Sequence, residues 1–450
     1  MTKMIKHADV TAMAGPLESV VEQALEEAKR QGASSAEADA SMSQGLSATV
    51  RLGDVETIEN NRDKSLAVSV YFGQSTGSAS TTDMSPDAIK KTVAAACSIA
   101  SRTAEDDCGG LADADRMATE FPDLDLWHPW NPPAEQAIEL AMQCEQAARS
   151  CDDKITNSEG ATVSSHEGVA IYTNSHGFIG TRYGTRHSLS CAVIAENTAG
   201  MERDYWYSVE RDRNNLESAE EVGKKAARRS VKRLGARKMK SCQAPILYEA
   251  QVASSLLSHF SSAINGGSLY RKSSFLLDHC GKLVFPAHIN ISDKPFIPGA
   301  LGSSAFDSEG VATQERELVH HGVLEGYLLN SYSARKLGMQ TTGNAGGAHN
   351  LVIEPGEHDL DGLMQEMGTG LLVTELIGYG VNNVTGDYSR GAAGFWVENG
   401  AIAYPVSEIT IAGNLKDMFM QVMEVGNDVE QRGTNITGSI LIENMTIAGE

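Results

Sequence analysis

Hydrophobic and polar positions along the chain change period several times. Over 17–30 the apolar residues of LESVVEQALEEAKR recur three and four apart, one helix face, and Gly32 supplies a stop. Alternation follows at 36–41, 46–52, 55–59 and 66–72, which predicts four strands with turns at Gly53-Asp54 and Asn60-Asn61. Ser85-Pro86-Asp87 opens a helix that runs to about residue 101, with proline in its first turn. The same order then recurs: a helix over 135–149, strands over 162–172, 178–195 and 202–209, and a helix over 218–234. Between the two copies, FPDLDLWHPWNPP at 121–133 holds four of the 12 prolines and two of the 4 tryptophans, and reads as a wrapping linker.

Beyond residue 244 the pattern turns strand-rich. A strand at 245–248 leads into a helix over 252–264, and strands at 310–318 and 323–329 form a hairpin turning at His321-Gly322. A glycine-rich loop (338–348), a helix (360–367), an apolar strand (371–378) and a last strand near 438–441 complete the chain. The expected fold class is α+β with mixed and antiparallel sheets. Residues 1–120 and 121–235 read as two related helix-meander-helix subdomains able to share one large sheet, and 236–450 as a β-rich C-terminal domain.

Charge narrows the function. The chain carries 59 acidic against 37 basic residues, a net charge of −22, so nucleic acid is not an expected partner. The basic run at 224–240 follows Glu217, Glu220 and Glu221, an order that suits a helix macrodipole. Seven cysteines without a CxxC pair suggest reduced thiols and a cytoplasmic protein. The N-terminus lacks the apolar core of a signal peptide, and no apolar run approaches the ~20 residues of a membrane span, so no membrane role is expected.

Isolated motifs carry little chemistry. His166-Glu167 begins like a zinc motif, but Ile171 stands where a second histidine is needed, and the pair reads as a surface turn. His176 and His187 lack a third ligand. His320-His321 reads as an exposed turn. Ser333-x-x-Lys336 matches a short acyl-enzyme pattern without its companion KTG. Glu375, Asp387, Glu398 and Glu408 read as solvated or turn-capping carboxylates. GDYSRG is not GxSxG, and neither GxGxxG nor a Walker A sequence occurs.

The stretch TGDYSRGAAGFWVENGAIAYPVSEITIAGNLKDM (385–418) is divided at short intervals by glycine, as backbone packed closely around something would be. Together with GSASTTDMSP, ITNSEGA, TRHSLSCAVIAEN and NSYSARKLGMQTTGNAGG, it resembles the TldD/PmbA family of metalloprotease-related proteins, in its PmbA (TldE) branch, over essentially the whole chain. The resemblance implies a matching position for the zinc motif HExxxH of the TldD branch, in which two histidines hold the metal and a glutamate serves as base. Aligned on Leu256-Leu257 and Arg271, this chain has Ser258, His259 and Ala263 there. A ligating cysteine near the C-terminus is also implied, yet no cysteine follows Cys280, and Asn435 or Thr437 occupies that stretch.

The resemblance therefore implies no catalytic residue, metal or cofactor in this chain. Zinc is expected in a TldD-like partner subunit, and this chain as the non-catalytic component of a metalloprotease that acts on unfolded or extended peptides. A homodimer is expected when the partner is missing. His259 is expected as a partly buried helix histidine bonded to a backbone carbonyl. Arg271, Asp387, Tyr388, Ser389 and Arg390 are candidates to line a peptide cleft. The competing expectation is a non-enzymatic regulatory protein, a modulator of DNA gyrase or of a carbon-storage regulator.

Overall fold

The computed structural model describes residues 7–449. Its first part comprises α1 (Ala8–Arg30), β1 (Ser35–Arg51), β2 (Asp54–Phe72), β3 (Ser75–Thr81) and α2 (Pro86–Ala100). The second repeats that order with α3 (Ala134–Arg149), β4 (Ile155–Asn174), β5 (Ile179–Asn197), β6 (Gly200–Glu210) and α4 (Ala219–Arg233). All six strands form one sheet in the order β3-β2-β1-β4-β5-β6, so β1 and β4, the first strand of each copy, pair antiparallel at its centre.

Alternation on β1 explains how this sheet is covered. Ala36, Ala38 and Ala40 are buried with α1 and α2, whereas Leu46, Ala48 and Val50, on the same face further along, are buried with α3 and α4. Small residues let the helices come close: a Cβ on Gly77 of β3 would lie 2.2 Å from the Ala96 carbonyl oxygen of α2.

Two sequence expectations change here. Asn60-Asn61 is no turn: Leu46↔Asn60 and Gly45↔Asn61 stay in register, and continuous pairing with β1 carries β2 straight through. His166 lies in mid-strand on β4, opposite Gly45, where a Cβ would meet its Nδ1 at 2.0 Å. The apparent zinc-motif fragment is a packing partner of a glycine.

The C-terminal part begins with β7 (Cys242–Tyr248), α5 (Ala250–Ala263), α6 (Gly266–Tyr270), β8 (Ile291–Asp293), β9 (Arg316–His320) and β10 (Val323–Leu324). It continues through α7 (Ser331–Lys336), β11 (Leu351–Ile353), α8 (Leu360–Met367), β12 (Gly370–Ile377), β13 (Asp387–Glu398) and β14 (Ala401–Asn414). The last elements are α9 (Leu415–Met420), β15 (Val422–Val425), β16 (Asn435–Ile436) and β17 (Ile440–Ala448). The second sheet runs β14-β13-β12-β7-β17-β15 and closes on itself through β14–β17 pairing; its β7–β12 pair is parallel. A smaller sheet has the order β10-β9-β8-β11-β16, and the β9–β10 hairpin turns at His321 and Gly322, both at positive φ as a two-residue hairpin turn requires. The fold is α+β with mixed and antiparallel sheets.

Arginines join the two repeats to the C-terminal part. Arg229 pairs with Glu249 at 2.8 Å and Arg233 with Glu375 at 2.6 Å, so two arginines of the basic run on α4 are spent inside the protein. Arg335 reaches the carbonyls of Cys108, Gly110 and Leu111 and the Asp113 carboxylate. Among the described residues no helix is long and apolar enough to cross a membrane.

Candidate functional site

Helix α5 carries the positions that match the zinc motif. Its Leu256, Leu257, Phe260 and Ala263 are buried and fix its rotation against the core. Five residues turn an α-helix through about 140°, so Ser258 and Ala263 face apart: Ser258 is exposed and Ala263 fully buried. The Ser258 hydroxyl accepts a hydrogen bond from Asn435 Nδ2 at 2.7 Å, and the same amide donates to the Ser254 carbonyl at 3.1 Å. Asn435 on β16 thus clips α5 at the first matching position. Thr437 is buried and its hydroxyl donates to the Gly438 carbonyl at 2.8 Å. A hydroxyl, an amide and a methyl are not a zinc donor set, so these residues do not fit the metal.

His259 faces inward from the same helix. Its ring meets that of Tyr388 edge-on, with centroids 5.9 Å apart. Its Nε2 is buried without a hydrogen-bond partner, which corrects the expected bond to a backbone carbonyl. The hydroxyl of Tyr388 and the Nε of Arg390 are buried and unpartnered too. Burial, reinforced by the Arg390 charge, lowers the His259 pKa to about 4, so the imidazole is neutral at pH 7. Burial also pushes the Tyr388 phenol up.

Strand alternation divides the other cleft candidates. Tyr388 and Arg390 lie toward His259, while Asp387 and Ser389 are on the opposite, exposed side of β13. Asp387 accepts from the Thr385 hydroxyl at 2.6 Å and from Asn414 at 3.3 Å, a turn-stabilising role. The Ser389 amide donates to the Gly380 carbonyl at 2.6 Å. Arg271 is exposed, lies over the Tyr270 ring at 5.2 Å, and lines a separate cleft of 280 Å³ with Asn330, Gly346 and Gly347. The structure therefore brings together His259, Tyr388 and Arg390, and leaves Arg271, Asp387 and Ser389 outside that group.

The remaining motif residues have structural partners. His187 is fully buried between the Ser165 hydroxyl (3.0 Å) and the His128 carbonyl (2.8 Å). Ser333 completes the capping box of α7, and Lys336 pairs with Asp106 at 2.8 Å. A cavity of 960 Å³ lies between the first sheet and the C-terminal part. Its lining includes Phe178 and Arg182 of the second repeat and Phe306, Asp307, Gly346 and His349 of the C-terminal part. Burial raises the Asp307 carboxyl to about 6 although three backbone amides bond to it. Sequence periodicity gave no sign of this cavity, because its walls come from distant segments.

Three domain models of one family match in succession: PmbA/TldA metallopeptidase domain 1 over residues 36–100, the central domain over 127–234, and the C-terminal domain over 241–449. The chain is 50% identical over 434 residues to a metalloprotease PmbA homolog of Haemophilus influenzae, covering 96% of each chain. It is 49% identical over 443 residues to metalloprotease PmbA of Escherichia coli O157:H7, covering 98% of each. A crystal structure from Bacteroides thetaiotaomicron, described as that of a candidate modulator of DNA gyrase, superposes with a TM-score of 0.91 at 29% identity, over 96% of this chain and 99% of that one.

Proposed function

The chain belongs to the TldD/PmbA metallopeptidase family, and from that premise we propose that it is the non-catalytic component of a zinc-dependent peptidase complex. A TldD-like subunit supplies the metal, and the substrates are unfolded or extended peptides. One observation carries this reading. In a chain with the family's fold throughout, the ligand positions hold a Ser258–Asn435 hydrogen bond and a core methyl at Ala263. Within this chain, Asn435 holds α5 in place and His259 presents a neutral imidazole beside Tyr388 and Arg390. Peptides in extended form suit the reading because an added strand is bound through main-chain hydrogen bonds with little demand on sequence.

The test is metal content and peptide hydrolysis of the purified chain, alone and after mixing with a TldD-like subunit. The reading expects neither stoichiometric zinc at the α5 region nor cleavage alone, and chelator-sensitive cleavage after mixing. Chelator-sensitive cleavage by the single purified chain would overturn it. The regulatory alternative rests on the description of the Bacteroides relative as a candidate gyrase modulator. It predicts gyrase, without a TldD-like chain, as the main protein retained by this chain from its host.

A further inference from the structure

The 960 Å³ cavity between the first sheet and the C-terminal part plays no part in the role proposed above. We propose that it binds an extended peptide segment as an added strand on β5, with a bulky apolar side chain against Phe121, Phe178 and Phe306 and an ammonium group toward Asp307. This site deepens the peptidase role and rests on it for its substrate class, but needs neither metal nor partner subunit to bind.

The backbone supplies the first element. β4 covers one side of β5 over 179–195, whereas β6 covers the other side only from His187 onward. In an antiparallel ladder, alternate residues turn their N–H and C=O to opposite sides. The Asn174 amide donates to the Phe178 carbonyl at 3.1 Å, which sets the phase: even-numbered residues at this end of β5 bond to β4, and odd-numbered ones face outward. Thr185 fits that phase, since its amide donates to the Leu126 carbonyl at 3.0 Å and its carbonyl accepts Arg211 Nη1 at 3.2 Å. The linker thus already lies on this edge for one residue. Nearer the start of β5, Ile179 and Thr181 line the cavity, and their outward amides and carbonyls make no hydrogen bond among the described residues. A row of main-chain donors and acceptors at a cavity wall is matched by another extended main chain. The volume lies toward the upper end of the ~300–1,000 Å³ typical of ligand clefts, room for a short peptide.

Side chains supply the rest. The Phe178 and Phe306 rings meet edge-on with centroids 5.4 Å apart, and Phe121 lies 5.8 Å from Phe306. Phe178 and Phe306 are buried, but Phe121 is 37% exposed, which leaves aromatic surface for an incoming apolar side chain. Charge then selects. In the cavity wall Arg182 pairs with Asp39, and His349 with Asp293. Asp307 is buried and has no ion-pair partner among the described residues, while Glu309 adds like charge. The Asp307 carboxylate accepts the amides of Glu309, Val311 and Ala345, which leaves one of about four acceptor positions open. A buried carboxylate without a counter-charge favours a cation, and the N-terminus of a peptide or a lysine side chain brings one.

The test is calorimetric titration of the full chain with the peptide Phe-Ala-Ser-Ala-Ser, amidated at its C-terminus. Saturable binding is expected, and N-acetylation of the peptide should weaken it by ~10-fold or more. An N-acetylated peptide with lysine after the phenylalanine separates the two sources: regained affinity assigns the ammonium to a side chain, and no gain assigns it to the N-terminus. N-methylation of the peptide bonds one at a time should cost about 5-fold at alternate positions only, the signature of an added strand. Phe121→Ala should weaken binding by about 5-fold. No saturable binding by the folded chain, equal binding of free and N-acetylated peptides, or N-methyl effects that do not alternate would overturn the proposal. Because binding is read on the single chain, the two failures are separable. Cleavage after mixing with a TldD-like subunit, without binding here, removes this site alone; binding here, without cleavage after mixing, removes the peptidase role alone.

Discussion

Acidification should weaken this protein through His259. In the unfolded chain a histidine titrates near 6.5; in the fold, burial first and the Arg390 charge second hold His259 to about 4. The folded state therefore binds fewer protons than the unfolded one across this window. His259's share of stability is complete above pH 6.5, declines as pH falls, and is exhausted below about 4. At ~1.4 kcal/mol per pH unit the gap sets a ceiling of ~3 kcal/mol. The ring is only partly shielded from water, so about 1.5 kcal/mol is the expected loss. The assay is urea denaturation of the parent and of His259→Gln at pH 7.5 and at pH 4.5. The carboxylates titrate equally in both proteins, so the difference between them isolates His259. Lowering the pH should shift that difference by about 1.5 kcal/mol in favour of the glutamine variant. Arg390→Gln should move the His259 midpoint upward in an NMR titration. A His259 midpoint near 6.5, or a stability difference that does not change with pH, would refute the reasoning.

Further outcomes follow from the packing. Restoring the motif with Ser258→His, His259→Glu and Ala263→His should not create a zinc site, because position 263 is fully buried and faces away from 258; the triple variant should lose ~3 kcal/mol or more by overpacking and bind no additional zinc by calorimetry. Glu145, buried on α3, accepts the Leu52 and Gly53 amides at 2.7 and 2.8 Å, so Glu145→Ala should cost ~2 kcal/mol in a denaturation series while Glu145→Gln costs less. Arg335→Ala removes the guanidinium that binds three carbonyls and Asp113 across the two parts; ~2 kcal/mol of stability should go, with faster hydrogen exchange around residues 108–113.

Much of the fold could be read before the structure because its signals are local. Proline at 86 starts α2, Ser218 caps α4, and the helix expected over 360–367 coincides with α8. The errors came where pairing overrides local chemistry. Asn60-Asn61 has turn residues, but an unbroken ladder with β1 leaves no place to turn. Four neighbouring residues, 387–390, looked like one polar cluster, and strand alternation sent two to solvent and two inward. His259 joined Tyr388 and Arg390 across more than a hundred residues. No local period records such meetings. The Ser258–Asn435 contact is half visible in the sequence, where Asn435 or Thr437 stands at the position of an absent ligand and nothing marks it as a partner of Ser258.

The shared central sheet has a consequence for biosynthesis. Only the Ala36–Ala40 end of β1 is covered by helices of its own repeat; Leu46, Ala48 and Val50 wait for α3 and α4, and the inner edge of the strand waits for β4. A nascent chain that has emerged through α2 therefore holds a half-dressed strand, with its apolar side chains and one row of backbone amides open to whatever is nearby. Its two repeats are copies in form but cannot be folded one at a time. The ribosome must deliver both before either is finished, and a chain stalled near residue 120 would be a substrate for chaperones rather than an independent module.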